Sequence, residues 1–418
     1  MATHTLTTLD RGKQLLDQGK SRDAYELLQP LEVERGGEPA YDFLLALAAL
    51  DIGQNTRAVF ALERVLAIEP DNARARAELA RAYLALGENR AAREEFEKVR
   101  QQNIPQGVST TIDKLLAMIE RAENRNRPSL KGFIELGVGG DSNVNSATES
   151  TTIIVPALGT ATLNPDSVKN GDGFATLAGG LAFRQPLGAG HALTAGVNAT
   201  IRQNKHDDQF DTQSVDGSLG WQLTRNANTF NLALTASNFQ RDGTALRNTV
   251  GANAQWQHDY DAVRQVTLYL QYMAIAYPDQ EIRDADRVVL GAGYAQAIGP
   301  RTVAFGSVYL GDESEKASNQ PQLGHRLGGV RAGMQHRFND QWSVLGNGAY
   351  ELRKYGGDEP LFFEKRTDRQ FEAGVSLNYQ INKHWKVASR LAYVNTDSTI
   401  PVYTYDRKVL SLSVRLDF

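Results

Sequence analysis

The 418-residue sequence contains no cysteine, which excludes disulfides and thiolate-bound zinc or iron–sulfur centres and fits an oxidising compartment without requiring one. Long apolar runs are missing as well. The longest, FLLALAAL from Phe43 to Leu50, falls well short of the roughly 20 residues that a membrane-spanning helix needs. No sign of charge dominates: 45 Lys and Arg stand against 49 Asp and Glu, a formal net charge of -4. Nucleic acid is therefore not expected as a partner, because phosphate contacts need clustered cations. The opening MATHTLTTLDRG has neither the basic nor the apolar stretch of a secretory signal, as expected of a cytosolic chain or of a mature form restarted at Met1.

Motifs of catalysis and metal binding are equally scarce. There is no GxSxG elbow and no HExxH pair, the seven histidines are scattered, and the HDD run at 206–208 reads as a solvated connection. No enzyme activity and no cofactor are expected.

What is present divides into two compositions. Residues 9–123 are rich in Ala, Leu, Glu and Arg; from Gly132 onward Gly, Asn, Thr, Tyr and alternating apolar residues take over. Pro128, in NRNRPSLKG, stops the helical pattern before an extended run begins. The expected domains are 1–128 and 129–418.

The first domain repeats. Gly19, Gly53 and Gly87 recur every 34 residues, as do Ala24, Ala58 and Ala92, and the larger sets Leu28, Leu62, Phe96 and Leu31, Val65, Val99. A 34-residue helix-turn-helix period is the tetratricopeptide (TPR) signature, here about three repeats, with Ser109 to about Glu123 as a capping helix. The usual concave-groove positions of such repeats fall on Lys13, Phe43, Leu47, Arg74 and Arg81. Phe43 and Leu47 read equally well as core.

The second domain alternates with period two over ten or more residues, as in DGFATLAGGLAFRQPL, TFNLALTASNF and RQVTLYLQYMAIAY. Such strands exceed the five or six residues usual in soluble sheets and suit a transmembrane barrel. Short turns are expected at 187–191, 225–228, 259–263, 298–301, 338–341 and 381–384, and longer connections at 146–173, 203–211, 240–248, 277–287, 312–326, 354–367 and 396–403. Thirteen connections imply fourteen antiparallel strands with both ends on the short-turn side, which in bacterial outer-membrane barrels is the periplasmic side. Trp221, Trp256, Trp342, Trp385, Tyr379 and Tyr393 fit interfacial girdles or ordinary strand propensity. A soluble β-sandwich is the rival fold, disfavoured by strand length.

The lumen-facing parity collects charges of both signs: Arg184, Arg202, Arg337, Arg353, Arg390 and Arg415 with Glu351, Asp216 and Glu372. They read as ion-paired struts in a wet interior. The stretch GVGGDSNVNSATES continues the first strand, placing Asp141, Asn143 and Asn145 as a polar ladder on the lumen face. Calcium is disfavoured there, since an EF-hand loop starting at Asp141 would need Gly at Ser146 and Glu at Thr152. GVGG makes no nucleotide loop either, because no helix follows it.

TPR repeats, a strand ending in DSNVNSA, and a fourteen-stranded barrel closing on Phe418 together resemble the surface lipoprotein assembly modulator (Slam) family over nearly the whole chain. The resemblance implies an outer-membrane translocator with its TPR domain in the periplasm, carrying client lipoproteins or secreted haem- or metal-acquisition proteins to the cell surface. Its partners would be the client, outer-membrane lipids and the barrel assembly machinery. That machinery would read the terminal alternation Leu412, Val414, Leu416 and Phe418. A polysaccharide exporter and a passive porin are the alternative functions for the same architecture.

Overall fold

Gly19, Gly53 and Gly87 adopt φ of 73°, 80° and 80°, the left-handed conformation that ends a helix and costs a side chain about 1–2 kcal/mol. In the structure, a computed structural model that describes residues 7–102, 104–125 and 127–418, each glycine turns the chain between two helices. α1 (Thr8–Asp17) packs on α2 (Ser21–Leu28), α4 (Pro39–Asp51) on α5 (Asn55–Ile68), and α6 (Ala73–Ala85) on α7 (Asn89–Arg100). The short α3 (Glu32–Arg35) lies between the first two pairs, and α8 (Gln106–Arg125) packs on α7. The first six residues of the opening stretch and Asn126 at the expected junction lie outside the described residues.

Leu28, Leu45, Leu62, Leu79 and Phe96, spaced 17 residues apart, are all buried. Each helix of a pair thus drives one large residue into the core at half the repeat period. The small residues Gly12, Ala46 and Ala80 permit close approach, and a Cβ on Gly12 would meet Leu28 at 3.1 Å. The fully buried Asp42 accepts from the backbone N–H of Gly37 at 2.8 Å and from Arg64, at 2.6 Å from Nη2. Arg64 also reaches Glu32, which Arg57 binds at 2.8 Å.

Contacts divide the chain at Arg127/Pro128 into two units. The second unit is a closed barrel. Its strands are β1 (Ser129–Asp141), β4 (Asp172–Gly188), β5 (His191–Asn204), β6 (Thr212–Arg225), β7 (Asn228–Arg241), β8 (Thr244–Asp259), β9 (Arg264–Ala276), β10 (Ala285–Ala297), β11 (Thr302–Glu315), β12 (His325–Arg337), β13 (Trp342–Glu359), β14 (Glu364–Gln380), β15 (Trp385–Ser398) and β16 (Tyr405–Asp417). A separate hairpin, β2 (Thr152–Val155) with β3 (Gly159–Thr162), lies in the first long connection. Every barrel strand is antiparallel to its neighbours, and β1 closes on β16 from Phe133↔Asp417 to Asp141↔Val409. Closure pairs the backbone groups that hydrocarbon could not satisfy.

Side chains of one parity point outward and are exposed, among them Ile134, Leu136 and Val138 on β1, Leu268 and Leu270 on β9, and Leu410, Leu412 and Val414 on β16. All four tryptophans, Trp221, Trp256, Trp342 and Trp385, share that face within five residues of a short turn. Trp342 stacks on Tyr379 with ring centroids 4.8 Å apart. Tyr393 sits nearer the opposite end of its strand. Along β13 the outward face stays apolar or small from Trp342 to Leu352 and turns cationic at Lys354. At about 3.3 Å per residue and a tilt of about 40°, that stretch is roughly 25 Å high, the apolar band of an outer-membrane barrel.

The six short turns lie as expected, but two of the connections expected to be long do not. Residues 242–243 form a two-residue turn, with Asp242 at φ 50° and Gly243 at φ 71°, and residues 360–363 join β13 to β14. Polar composition there marks strands that keep pairing beyond the hydrocarbon, where water admits polar side chains without ending the ladder. The first strand also stops earlier than expected, at Asp141. The chain bends beyond it, with Ser146 at φ 52°.

Candidate functional site

Asp141 is the hub at the long-loop end of the β1–β16 closure. Its fully buried carboxylate accepts from Arg407 of β16 (Nε at 3.0 Å, Nη2 at 2.5 Å), from Arg202 of β5 (Nη2 at 2.8 Å) and from the backbone N–H of Asn143 at 3.0 Å. Arg202 also lies 4.0 Å above the ring of Phe174, and Arg407 reaches the Ser146 hydroxyl at 3.2 Å. One carboxylate thus holds three strands together in a place with little water to screen it.

Asn143 and Asn145 do not extend a lumen ladder, because the bend after Asp141 removes them from the strand. Asn143, itself fully buried, donates to the carbonyls of Ala147 and Asp406, each at 2.8 Å, and accepts from the Ala147 N–H. Asn145 donates to the carbonyls of Asp166 and Val168 at 2.9 and 2.7 Å. Two amides at alternate positions therefore satisfy backbone carbonyls that no strand partner reaches. Lys169 bridges Glu149 and Asp406, and the N–H of Ala157, between β2 and β3, donates to the Leu361 carbonyl in the turn after β13. The first connection is thereby tied to a turn three strands away around the rim.

The other lumen candidates fall on the inward parity. Arg353 pairs with Glu351 at 2.6 Å, Glu372 accepts from Gln370 at 2.5 Å, Arg184 lies 3.5 Å from Gln222 Oε1, and Arg390 is exposed on the inner wall of β15. A denser network on β11–β14 was not legible as one site. Tyr309 donates to Glu351 at 2.6 Å, Arg331 stacks on Tyr309 at 4.4 Å, and Arg366 pairs with the buried Asp368 at 2.7 Å while lying 3.5 Å over the ring of Tyr403. Inward parity was the available signal for these residues and for Arg407. The mixed charges neutralise one another locally, so the wall is polar without being strongly selective for one sign. Among the described residues no group of three or more His, Cys, Asp or Glu is placed to hold a metal ion.

The groove candidates lie on the first helix of each pair. Arg74 holds its guanidinium 5.0 Å from the ring of Phe43, which is half-buried and packs against the core. Leu47 is half-buried and Lys13 exposed. Arg81 pairs with Glu78 at 2.6 Å. Burial raises the Glu78 pKa above its ordinary value, against the opposing pull of Arg81 and Arg74.

At the terminus, Leu412 and Val414 point outward, and Phe418 exchanges backbone hydrogen bonds with Gly132 at 2.7 and 2.9 Å. A Cβ on Gly132 would come within 2.5 Å of the tip of the Phe418 ring, so any larger residue there would displace that ring. Leu416 pairs with Ile134 across the closure.

A family model described as surface lipoprotein assembly modifier matches residues 134–418, and a tetratricopeptide repeat model matches residues 49–103. Over 107 residues the chain is 31% identical to a surface lipoprotein assembly modifier of Moraxella catarrhalis, a stretch that covers 26% of this chain and 20% of that relative. Similar solved structures include the outer membrane channel DcaP of Acinetobacter baumannii (9% identity, TM-score 0.42, 70% of this chain and 97% of that one) and an anion-selective porin from Comamonas acidovorans (11%, 0.38, 70% and 99%). With residues 134–418, all of the barrel but the first five residues of β1, matched by that family model, the chain belongs to the surface lipoprotein assembly modifier family.

Proposed function

We propose that this outer-membrane barrel moves particular client proteins, surface lipoproteins or secreted haem- or metal-acquisition proteins, from the periplasm to the cell surface. The observation that carries the reading is the family match over a closed barrel whose inner wall is polar and mixed in charge. β1 starts, and β16 ends, at the short-turn end. If that end faces the periplasm, as in other outer-membrane barrels, the TPR unit is periplasmic and its groove of Lys13, Phe43, Leu47, Arg74 and Arg81 captures the client in extended form.

The client then crosses by the lumen or by the β1–β16 closure. That closure pairs nine residues, against thirteen between β1 and β4, and carries its tightest ion pair, Asp141 with Arg407, at the long-loop end and the looser Glu135 with Arg415, 3.8 Å apart, toward the short-turn end. No nucleotide is needed. Folding of the client outside supplies the direction. The assembly machinery reads the terminal Leu412, Val414, Leu416 and Phe418. The test is protease shaving of cells with and without the chain: candidate clients become protected when it is deleted, and unchanged exposure of every client overturns the proposal.

A further inference from the structure

On the outer wall of the barrel, Gly328 of β12 sits directly between Leu310 of β11 and Leu352 of β13. The missing side chain opens a groove of about 900 Å³, continued below by Val330 and Tyr350, which pair with each other. Leu310 is 72% exposed, so the groove is open to whatever surrounds the barrel. One step toward the long-loop end, the outward residues change character abruptly: Arg326 lies directly above Gly328, beside Lys354 on β13 and Asp312 on β11.

Two cations therefore share one acid there, and the sharing is poor. Arg326 stands 3.7 Å from Asp312, and the Lys354 ammonium has no hydrogen bond or ion pair among the described residues. Two other outward acids or cations on neighbouring strands are paired within the barrel. Asp286 accepts from Tyr272 at 2.9 Å and faces Lys316 at 3.4 Å, and Arg369 pairs with Asp397 at 3.3 Å.

From this geometry we propose that the Gly328 groove is a lipid site for a phosphorylated glycolipid of the lipid A class, with an acyl chain along Leu310, Gly328 and Leu352 and a phosphate between Arg326 and Lys354. The cations stand at the upper edge of the apolar band, the level at which the head groups of that leaflet lie. The charge that the protein leaves uncompensated is the one that a phosphate supplies, and the notch beneath it has the chemistry of an acyl tail. The site is independent of the route that a client takes.

Native mass spectrometry of the purified full chain, titrated with bisphosphorylated lipid A in detergent, tests this. Each cation near a lipid surface contributes about 1 kcal/mol, so the double variant R326Q/K354Q is expected to bind about thirtyfold more weakly. Wild-type chain should lose a similar factor with dephosphorylated lipid A. Gly328→Leu, which fills the notch and keeps both charges, should also weaken binding, whereas Arg264→Gln, at the short-turn end of β9, should not. Correct folding of each variant is checked by its heat-modifiable electrophoretic mobility. Equal binding by R326Q/K354Q and wild type overturns the proposal. So does phosphatidylglycerol bound as tightly as lipid A, or a dimer of the chain that Gly328→Leu abolishes.

Discussion

Replacing Asp141 by alanine would leave Arg202 and Arg407 facing each other without their counter-ion, at side-chain exposures of only 16% and 26%. Breaking a buried ion pair on one side costs about 3–5 kcal/mol, since the abandoned charge stays desolvated. Urea unfolding of the full chain reinserted in lipid vesicles measures this, and tryptophan fluorescence is a clean reporter: all four tryptophans lie in the barrel, at the end opposite Asp141. Asp141→Ala is expected to lower barrel stability by about 3–5 kcal/mol. The double variant D141A/R407A should recover part of that loss, with a coupling of about 1–3 kcal/mol, because one stranded cation is removed. A D141A barrel within about 1 kcal/mol of wild type, or strictly additive single effects, would refute the assignment of Asp141 as the lock of the closure.

The cysteine-free background permits a staple across the closure: cysteines at the paired positions Leu136 and Val414, once oxidised, should stop client export if the closure opens and leave it unchanged if the lumen is the route. Gly87→Ala should cost the helical unit about 1–2 kcal/mol through its φ of 80°, read from the thermal transition at 222 nm. Phe96→Ala, which empties a buried core position, should cost about 3–5 kcal/mol in the same measurement. Burial opposes the Glu32 carboxylate, but hydrogen bonds from Arg57 and Arg64 outweigh it and hold its pKa below 4.5. Its contribution to stability is therefore present above pH 4.5 and lost as pH falls through the lower folded value, so the 222 nm transition should move to lower temperature on acidification over that range.

Much of the architecture was legible because it rests on local periodicity. The left-handed glycines at 19, 53 and 87 and the large residues between them announce paired helices, and period-two alternation announces strands with a lipid face and a lumen face. Arg184, Arg202, Arg353, Glu372 and Arg390 share the inward parity of their strands. Asn143 and Asn145 continued the same alternation, yet the chain leaves the strand at Asp141, because their amides bind backbone carbonyls of the connection and of Asp406. Strand ends were misjudged at 240–248 and 354–367 for a related reason: polarity reports immersion in hydrocarbon, whereas strand pairing extends beyond it.

The sequence by itself determined which parity of each barrel strand faces out and which faces in, how many helix pairs and barrel strands there are, and the resemblance to a family. Only the tertiary structure decided which of those residues meet. Arg407 stands 266 positions from Asp141, Gly328 lies between two leucines on separate strands, and the network of Tyr309, Glu351, Arg366 and Asp368 gathers three strands. Parity along one strand fixes the face on which a side chain lies; the register between strands, set when the barrel closes, fixes its neighbour.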